Sequence, residues 1–308
     1  MNQTTIRKAF RVSGHGLHTG RMVTVLLQPA PADSGILFRR TDRLTIVTQP
    51  ATADRVGTTS RGTTLGTGRQ AIATIEHLMS ALHGMQIDNV LVELDGGEVP
   101  ILDGSARPWL QQLQRVGVMH LDVPRKEMRV EKPLHFEFAE TGSVYDVEPS
   151  EQFSVDCVID FPGSVIGRQE AHLDGFAQYA QDIAICRTFV FLHEIEPLLH
   201  LNLIKGGSLD NALVFVNKEL GARQQRRLER MFHKDSSTLR VHDGVLNTTD
   251  PYFPNEPARH KLLDFVGDIR MVGMPPIGHF TIYKPGHKAN TAFAKYMIAN
   301  CLHSETTK

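Results

Sequence analysis

Two short runs, Ile6–Val12 and Met22–Gln28, carry apolar and β-branched residues in near-alternation and predict strands, joined by the glycine-rich segment Gly14–Gly20. Ile36–Arg40, Leu44–Thr48 and Asn89–Leu94 read as further strands. Between them the period changes. Ile75, Leu78, Met79 and Leu82 recur at helical spacing, so a helix is expected over Thr74–Leu82. Another should follow Asp103-Gly104-Ser105, with Ser105 as N-cap and Trp109, Leu110, Leu113 and Val116 on one stripe.

The pattern breaks at Pro124 and Arg125-Lys126, and strand-like runs restart at Met128. This places a boundary between two domains, 1–121 and 122–308. The second part again opens with strands, Leu134–Phe138 and Phe153–Ile159. Helical stretches follow, then strands at Ala212–Val216 and Gly278–Tyr283 and a last helix near Asn290–Leu302. Strands and helices cluster in both halves without regular βαβ alternation, so the expected class is α+β and not a doubly wound sheet. Glu219–Phe232, rich in arginine and glutamate, reads as a solvated helix face.

Composition narrows the function classes. The 308 residues are 41% hydrophobic and 22% charged, which excludes disordered, fibrous and coiled-coil readings. Lysine and arginine total 33 against 34 acids, so no basic excess exists to attract nucleic acid. Cys157, Cys186 and Cys301 lack CxxC spacing, which argues against a disulfide framework or a cysteine-rich zinc site. The start, MNQTTIRKAF, lacks the apolar segment of a signal peptide, and no run reaches the roughly 18 apolar residues of a membrane span. A soluble, cytoplasmic protein is expected. No P-loop, no GxGxxG after a strand and no GxSxG is present. The 15 histidines stand out.

Two segments carry candidate chemistry. In Glu256–Asp268, Pro257 suits a first helical turn, and His260, Asp264 and Asp268 fall at i, i+4 and i+8 on one face. Imidazole and carboxylate at that spacing can reach one divalent ion, and an ordinary surface His–Asp pair has the same spacing. Glu76-His77 in the first predicted helix would complete a set of two histidines and one aspartate, leaving Glu76 as a carboxylate not needed for ligation. A surface pair is again the plain alternative. His287, after the strand Gly278–Tyr283, is a loop histidine placed to act.

Together these segments resemble one family. The blocks Gly14–Gly20 (GHGLHTG), Phe38–Asp42 (FRRTD), Thr74–Leu78 (TIEHL), Asp88-Asn89-Val90, Pro100–Ala106 (PILDGSA), Arg187-Thr188-Phe189, Lys205–Ser208 (KGGS), Arg259–Asp268 and Lys284–His287 run in order over essentially the whole chain. They resemble the UDP-3-O-acyl-N-acetylglucosamine deacetylases, zinc amidases of lipid A biosynthesis. The resemblance implies two similarly folded two-layer α+β domains forming a β-α-α-β sandwich, with the active site between them. It implies one zinc ion on His77, His260 and Asp264, with ferrous iron as the alternative in cells. Glu76 matches the general base, His287 the catalytic histidine and Asp268 the carboxylate orienting it; Lys261 and Thr188 match residues at the reacting carbonyl and its oxyanion.

An insert at about 190–214 matches the family's acyl-chain enclosure, implying Phe189, Phe191, Ile195, Leu203, Leu209, Ala212 and Val214 as acyl-chain contacts. Phe161, Ser208, Lys284 and Gly286 are further expected substrate contacts. The implied partner is the glycolipid substrate of a monomeric enzyme, with no nucleic acid and no membrane span. Some family members carry a fused dehydratase domain; this chain ends soon after the last deacetylase helix, so none is expected. The stretch Asn217–Asn255 is longer and more charged than its counterpart in shorter members. Competing readings are a non-catalytic glycolipid- or nucleotide-binding module and a non-haem iron oxygenase, which shares the two-histidine-one-carboxylate set.

Overall fold

The computed structural model describes residues 1–195, 205–218, 220–232, 239–247 and 250–301. Leu203 and residues 302–308 lie outside them.

The same sheet is built twice. In the first, β2 (Phe10–His15), β3 (Met22–Pro29), β8 (Val90–Leu94), β4 (Ile36–Arg40) and β5 (Thr48–Pro50) lie side by side in that order. In the second the order is β11 (Leu134–Phe138), β12 (Ser143–Glu148), β19 (Pro276–Tyr283), β13 (Phe153–Phe161) and β14 (Gly167–Asp174), with β10 (Met128–Arg129) alongside β19. In each, the last strand in sequence inserts at the centre, parallel to one neighbour and antiparallel to the other. In each, a helix precedes that strand and another follows it. Helix α1 (Glu76–Gly84) and α2 (Arg107–Val116) flank β8; α5 (Glu256–Ile269) and α6 (His287–Cys301) flank β19. The Glu76-His77 and Arg259-His260 segments therefore lie early in equivalent helices of a duplicated arrangement.

The two sets of helices meet in the middle. Helix α1 packs along α5, and α5 packs on β13 and β14. Their close approach depends on Gly267, where a Cβ would sit 2.2 Å from the Glu76 carbonyl oxygen. Alternating apolar residues of the sheets (Val23, Val25, Leu27; Val155, Cys157, Ile159) and the inner helix faces form one continuous core. The architecture is an α+β sandwich.

Smaller elements complete the chain. Strand β1 (Asn2–Ile6) pairs with β9 (Val118–Pro124), and β6 (Val56–Thr58) with β7 (Thr64–Leu65). Strands β15 (Phe189–Phe191), β16 (Leu213–Phe215), β18 (Val245–Asn247) and β17 (Arg240–His242) form a four-stranded sheet; the short α3 (Tyr179–Asp182) precedes β15 in the chain and α4 (Ala222–Phe232) follows β16. Leu228 of α4 is buried with Leu192 and Ile195, so that helix covers a small apolar cluster despite its charge.

Three local expectations change. Ile6–Val12 is two strands of different sheets, β1 and β2, because the Arg7 N–H turns to the Gly117 carbonyl. Leu44–Thr48 is not a strand: Leu44, Ile46 and Val47 are exposed, and only Thr48 enters β5. The N-cap position of α2 is Ala106; Ser105, one residue earlier, accepts the Arg107 N–H and donates to Asp103. No helix among the described residues is long and apolar enough to cross a membrane.

Candidate active site

Three helices bring polar residues to or beside one cleft of ≈ 270 Å³. Glu76 and His77 occupy the first turn of α1; His260, Lys261, Asp264 and Asp268 lie along α5; His287 opens α6. Two non-glycine residues hold left-handed backbone just before these helices, Thr74 (φ 60) and Lys284 (φ 52). For a β-branched residue such as Thr74 that conformation is strained and must be held by its surroundings. The Thr74 hydroxyl donates to buried Glu98, which also accepts the N–H groups of His18 and Thr19. One carboxylate thus ties the Gly14–Gly20 loop to the entrance of α1.

His77, His260 and Asp264 are the one group among the described residues whose ligand atoms converge for a metal, all within 4.8 Å of one another. Asp264 Oδ1 lies 3.8 Å from His77 Nε2 and 3.4 Å from His260 Nε2. It is buried without a hydrogen-bond partner. Burial, together with the nearby cations, pushes both imidazoles below their ordinary value, His77 to about 3, so both present neutral nitrogens. Against the cost of its own burial, the Lys261 ammonium and the His287 cation hold Asp264 well below the usual carboxylate range. Two neutral imidazoles and an orphaned carboxylate oxygen, all three side chains buried, are a donor set suited to a divalent cation. His260 Nδ1–H donates to the Cys186 carbonyl at 3.0 Å, fixing its ring with Nε2 toward Asp264.

The remaining polar groups surround that cluster. Glu76 Oε2 accepts the Thr63 N–H at 2.9 Å and is nearly sealed from solvent. Burial, then the carboxylates of Asp264 and Asp268, push Glu76 up to about 7, with the His287 cation opposing. His287 Nδ1–H donates to Asp268 Oδ2 at 2.9 Å, and its Nε2 lies 3.8 Å from Asp264 Oδ2. Burial disfavours its charge, yet Asp268, Asp264 and Glu76 outweigh that and carry it up to about 9. Lys261 Nζ donates to Asp264 Oδ2 at 2.9 Å, and Asp264 holds the ammonium above its ordinary value despite burial. Thr188 also lines the cleft, its backbone pinned between Gly104 and Leu213.

The expected substrate contacts divide into groups. Phe189, Ile195, Ser208, Ala212 and Val214 line the cleft. Phe191 and Leu209 do not: the Phe191 ring packs on Phe161 and Phe215, and Leu209 is buried in the small apolar cluster. Phe161, Lys284 and Gly286 line an adjoining cavity that shares Lys261 and His287 with the cleft. Leu203 lies outside the described residues.

Two residues with no motif of their own, Thr63 and Asn290, support this arrangement. Thr63 donates its hydroxyl to Asp268 at 2.6 Å while its N–H holds Glu76. Asn290 donates to Asp268 Oδ2 and accepts the Tyr145 hydroxyl. Neither has a spacing signal, since each acts across the fold.

The family model for UDP-3-O-acyl N-acetylglycosamine deacetylase matches residues 3–235 and 233–299. The chain belongs to this family. A protein of Myxococcus xanthus named UDP-3-O-acyl-N-acetylglucosamine deacetylase is 39% identical over 300 residues, covering 97% of this chain and 87% of its own length. One of Nitratidesulfovibrio vulgaris with the same name is 38% identical over 300 residues, covering 97% and 89%. The bifunctional enzyme LpxC/FabZ of Bacteroides thetaiotaomicron is 38% identical over 300 residues; there the alignment takes in 96% of this chain but 64% of the larger protein. The chain thus spans about two thirds of the length of such bifunctional relatives.

Proposed function

We propose that this deacetylase-family chain hydrolyses the N-acetyl amide of UDP-3-O-acyl-N-acetylglucosamine, releasing acetate and UDP-3-O-acyl-glucosamine for lipid A biosynthesis. The observation that carries this reading is the convergence, in one cleft, of the His77–His260–Asp264 cluster with a buried carboxylate and a carboxylate-paired histidine around it. The proposed ion is zinc, one per chain, with ferrous iron as the cellular alternative. When bound, such an ion polarises a carbonyl and lowers the pKa of water.

The chain's own residues supply the proton traffic. Glu76, desolvated and raised toward neutrality, takes the proton from the attacking water as it adds to the acetyl carbon. Lys261 and the Thr188 hydroxyl face the developing oxyanion, and loss of one such donor costs about 3 kcal/mol in comparable oxyanion holes. His287, kept cationic by Asp268, gives its proton to the departing glucosamine nitrogen. The C–N bond breaks with that proton on the amine, and acetate leaves with the water oxygen.

The division into domains 1–121 and 122–308, a monomeric state and a cytoplasmic setting are part of the same proposal; the buried thiols of Cys157 and Cys186 support the last. Acetate release from UDP-3-O-acyl-N-acetylglucosamine, before and after metal removal, tests the function. Release that needs the ion supports it. An intact metal-loaded protein that leaves the amide uncut rejects it.

A further inference from the structure

One side of the cleft is walled by backbone that belongs to no helix or strand. Leu17 and His18 come from the loop between β2 and β3, and Gly207 and Ser208 from a turn shortly before β16. Asn211 closes that turn on itself, donating to the Gly206 carbonyl at 2.8 Å and accepting the Ser208 N–H at 2.9 Å. The turn docks on the loop backbone to backbone. The Gly206 N–H donates to the Leu17 carbonyl at 3.0 Å, and a Cβ on Gly206 would sit 2.2 Å from the Gly16 carbonyl oxygen. The place of both pieces therefore depends on what holds the loop.

Glu98, 1% exposed, holds it. Its Oε1 accepts the His18 N–H at 2.9 Å and the Thr74 hydroxyl at 3.3 Å; its Oε2 accepts the Thr19 N–H at 2.9 Å and the Thr19 hydroxyl at 2.7 Å. A Cβ on Gly16 would fall 2.3 Å from Oε2, so the loop closes over the carboxylate only because that position is glycine. A backbone N–H donates and cannot turn round to accept. With one such group on each oxygen, the site demands an acceptor at both positions, which a carboxylate offers and an amide does not.

The main chain around Glu98 is pinned in turn to Ala73. The Ala73 N–H donates to the Gly97 carbonyl at 3.0 Å, and the Ala73 carbonyl accepts the Val99 N–H at 2.9 Å. Thr74 follows in its left-handed conformation, then Ile75, then Glu76 and His77. One residue thus joins the wall of the cleft to the start of α1.

We propose that Glu98 is a positioning residue for the reaction: it fixes Leu17 and His18, and through them Gly207 and Ser208, against the helix that presents Glu76 and His77. This rests on the function given above. Glu98 makes no hydrogen bond to the metal-binding cluster or to the proton carriers, so its loss should weaken the grip on the substrate and leave the chemical step nearly intact. A change of that kind raises KM at constant kcat.

The test compares wild type, Glu98→Gln and Glu98→Asp, each loaded with zinc, by steady-state deacetylation of UDP-3-O-acyl-N-acetylglucosamine and by backbone hydrogen exchange. Glu98→Gln turns an NH2 group toward one of the loop N–H groups. Its KM should rise about ten-fold or more, with kcat within about three-fold of wild type and one equivalent of metal retained. Exchange should quicken at residues 16–20 and 206 and stay unchanged through α1. Glu98→Asp keeps an oxygen for each N–H, and its KM should return to within about three-fold of wild type. Should Glu98→Gln fail to fold, Thr19→Val decides, since it removes one neutral donor from an exposed residue. A rise in KM of about two- to five-fold at constant kcat is then expected, and an unchanged KM overturns the proposal. A merely structural Glu98 would lower kcat, metal content and α1 protection together. That result, or an unchanged KM in Glu98→Gln, would overturn the proposal. Exchange needs no turnover: a wild type that leaves the amide uncut rejects the function, and exchange then shows separately whether Glu98 holds the wall.

Discussion

His287 and Asp268 are locked together: the imidazole Nδ1 sits 2.9 Å from a carboxylate oxygen that has no exposure to solvent. Thr63 and Asn290 donate to the same carboxylate, so its orientation is fixed from three sides. The pairing keeps a proton on His287 to about pH 9, while Glu76 loses its own only near pH 7.

These directions give a bell-shaped rate profile. The base must be ionised, so activity falls as pH drops through the Glu76 value. The acid must be protonated, so activity falls again as pH rises through the His287 value. A bound divalent cation lowers both, and the limbs report macroscopic constants of the coupled set. Asp268→Asn keeps an acceptor but removes the charge, so His287 should lose its proton at lower pH. The alkaline limb of kcat should move acidward, with a loss of about 10²–10⁴ at its former plateau. An unmoved alkaline limb would remove His287 from the acid role.

Ligand and base separate by metal content. Glu76→Ala should retain one equivalent of metal and lose about 10²–10⁴ in kcat, with kcat/KM falling in step. His260→Ala should lose metal and activity together. Metal analysis of the two purified variants is the check, and metal-free Glu76→Ala would make Glu76 a ligand.

Gly267 sets how closely α1 and α5 approach. Gly267→Ala drives a Cβ toward the Glu76 carbonyl, so the helices must part or strain. Overpacking of this kind costs about 1–3 kcal/mol. The variant should melt lower and bind its metal more weakly, because Glu76 and His77 begin α1 at that contact. Unchanged melting would show that the interface yields freely.

Ala212 and Val214 form an apolar wall of the cleft beside Phe189 and Ile195. A buried methylene contributes about 0.8 kcal/mol, so an acyl chain of ten or more carbons would supply much of the binding energy. Part of that energy can position the amide, so the 3-O-deacylated UDP-sugar should turn over orders of magnitude more slowly. Ala212→Trp should impair the acylated substrate more than the deacylated one. Equal kcat/KM for both substrates in the wild type would make this wall core and not passage.

The residues that act within one element were legible in the sequence. His260, Asp264 and Asp268 share a helix face by spacing alone, and β3, β4, β11 and β13 follow from their apolar runs. What spacing could not supply was anything made by pairing across the fold. Thr63 reaches Asp268 over 205 positions, and Glu98 holds the Gly14–Gly20 loop from 80 away. Strands β12 and β14 are weak signals because their alternation mixes types: Ser143 is buried and Val144 half-buried in β12, and Arg168, Gln169 and Glu170 run together in β14. The resemblance supplied the roles; the fold supplied the contacts that make those roles chemically sensible.

Titrating rigorously metal-free protein with zinc, while following acetate release and bound metal in the same samples, asks whether His77, His260 and Asp264 hold the one ion on which amide hydrolysis depends. Activity should be absent at the start and rise in proportion to bound zinc until one equivalent per chain is reached. Full acetate release from the metal-free protein would contradict that dependence.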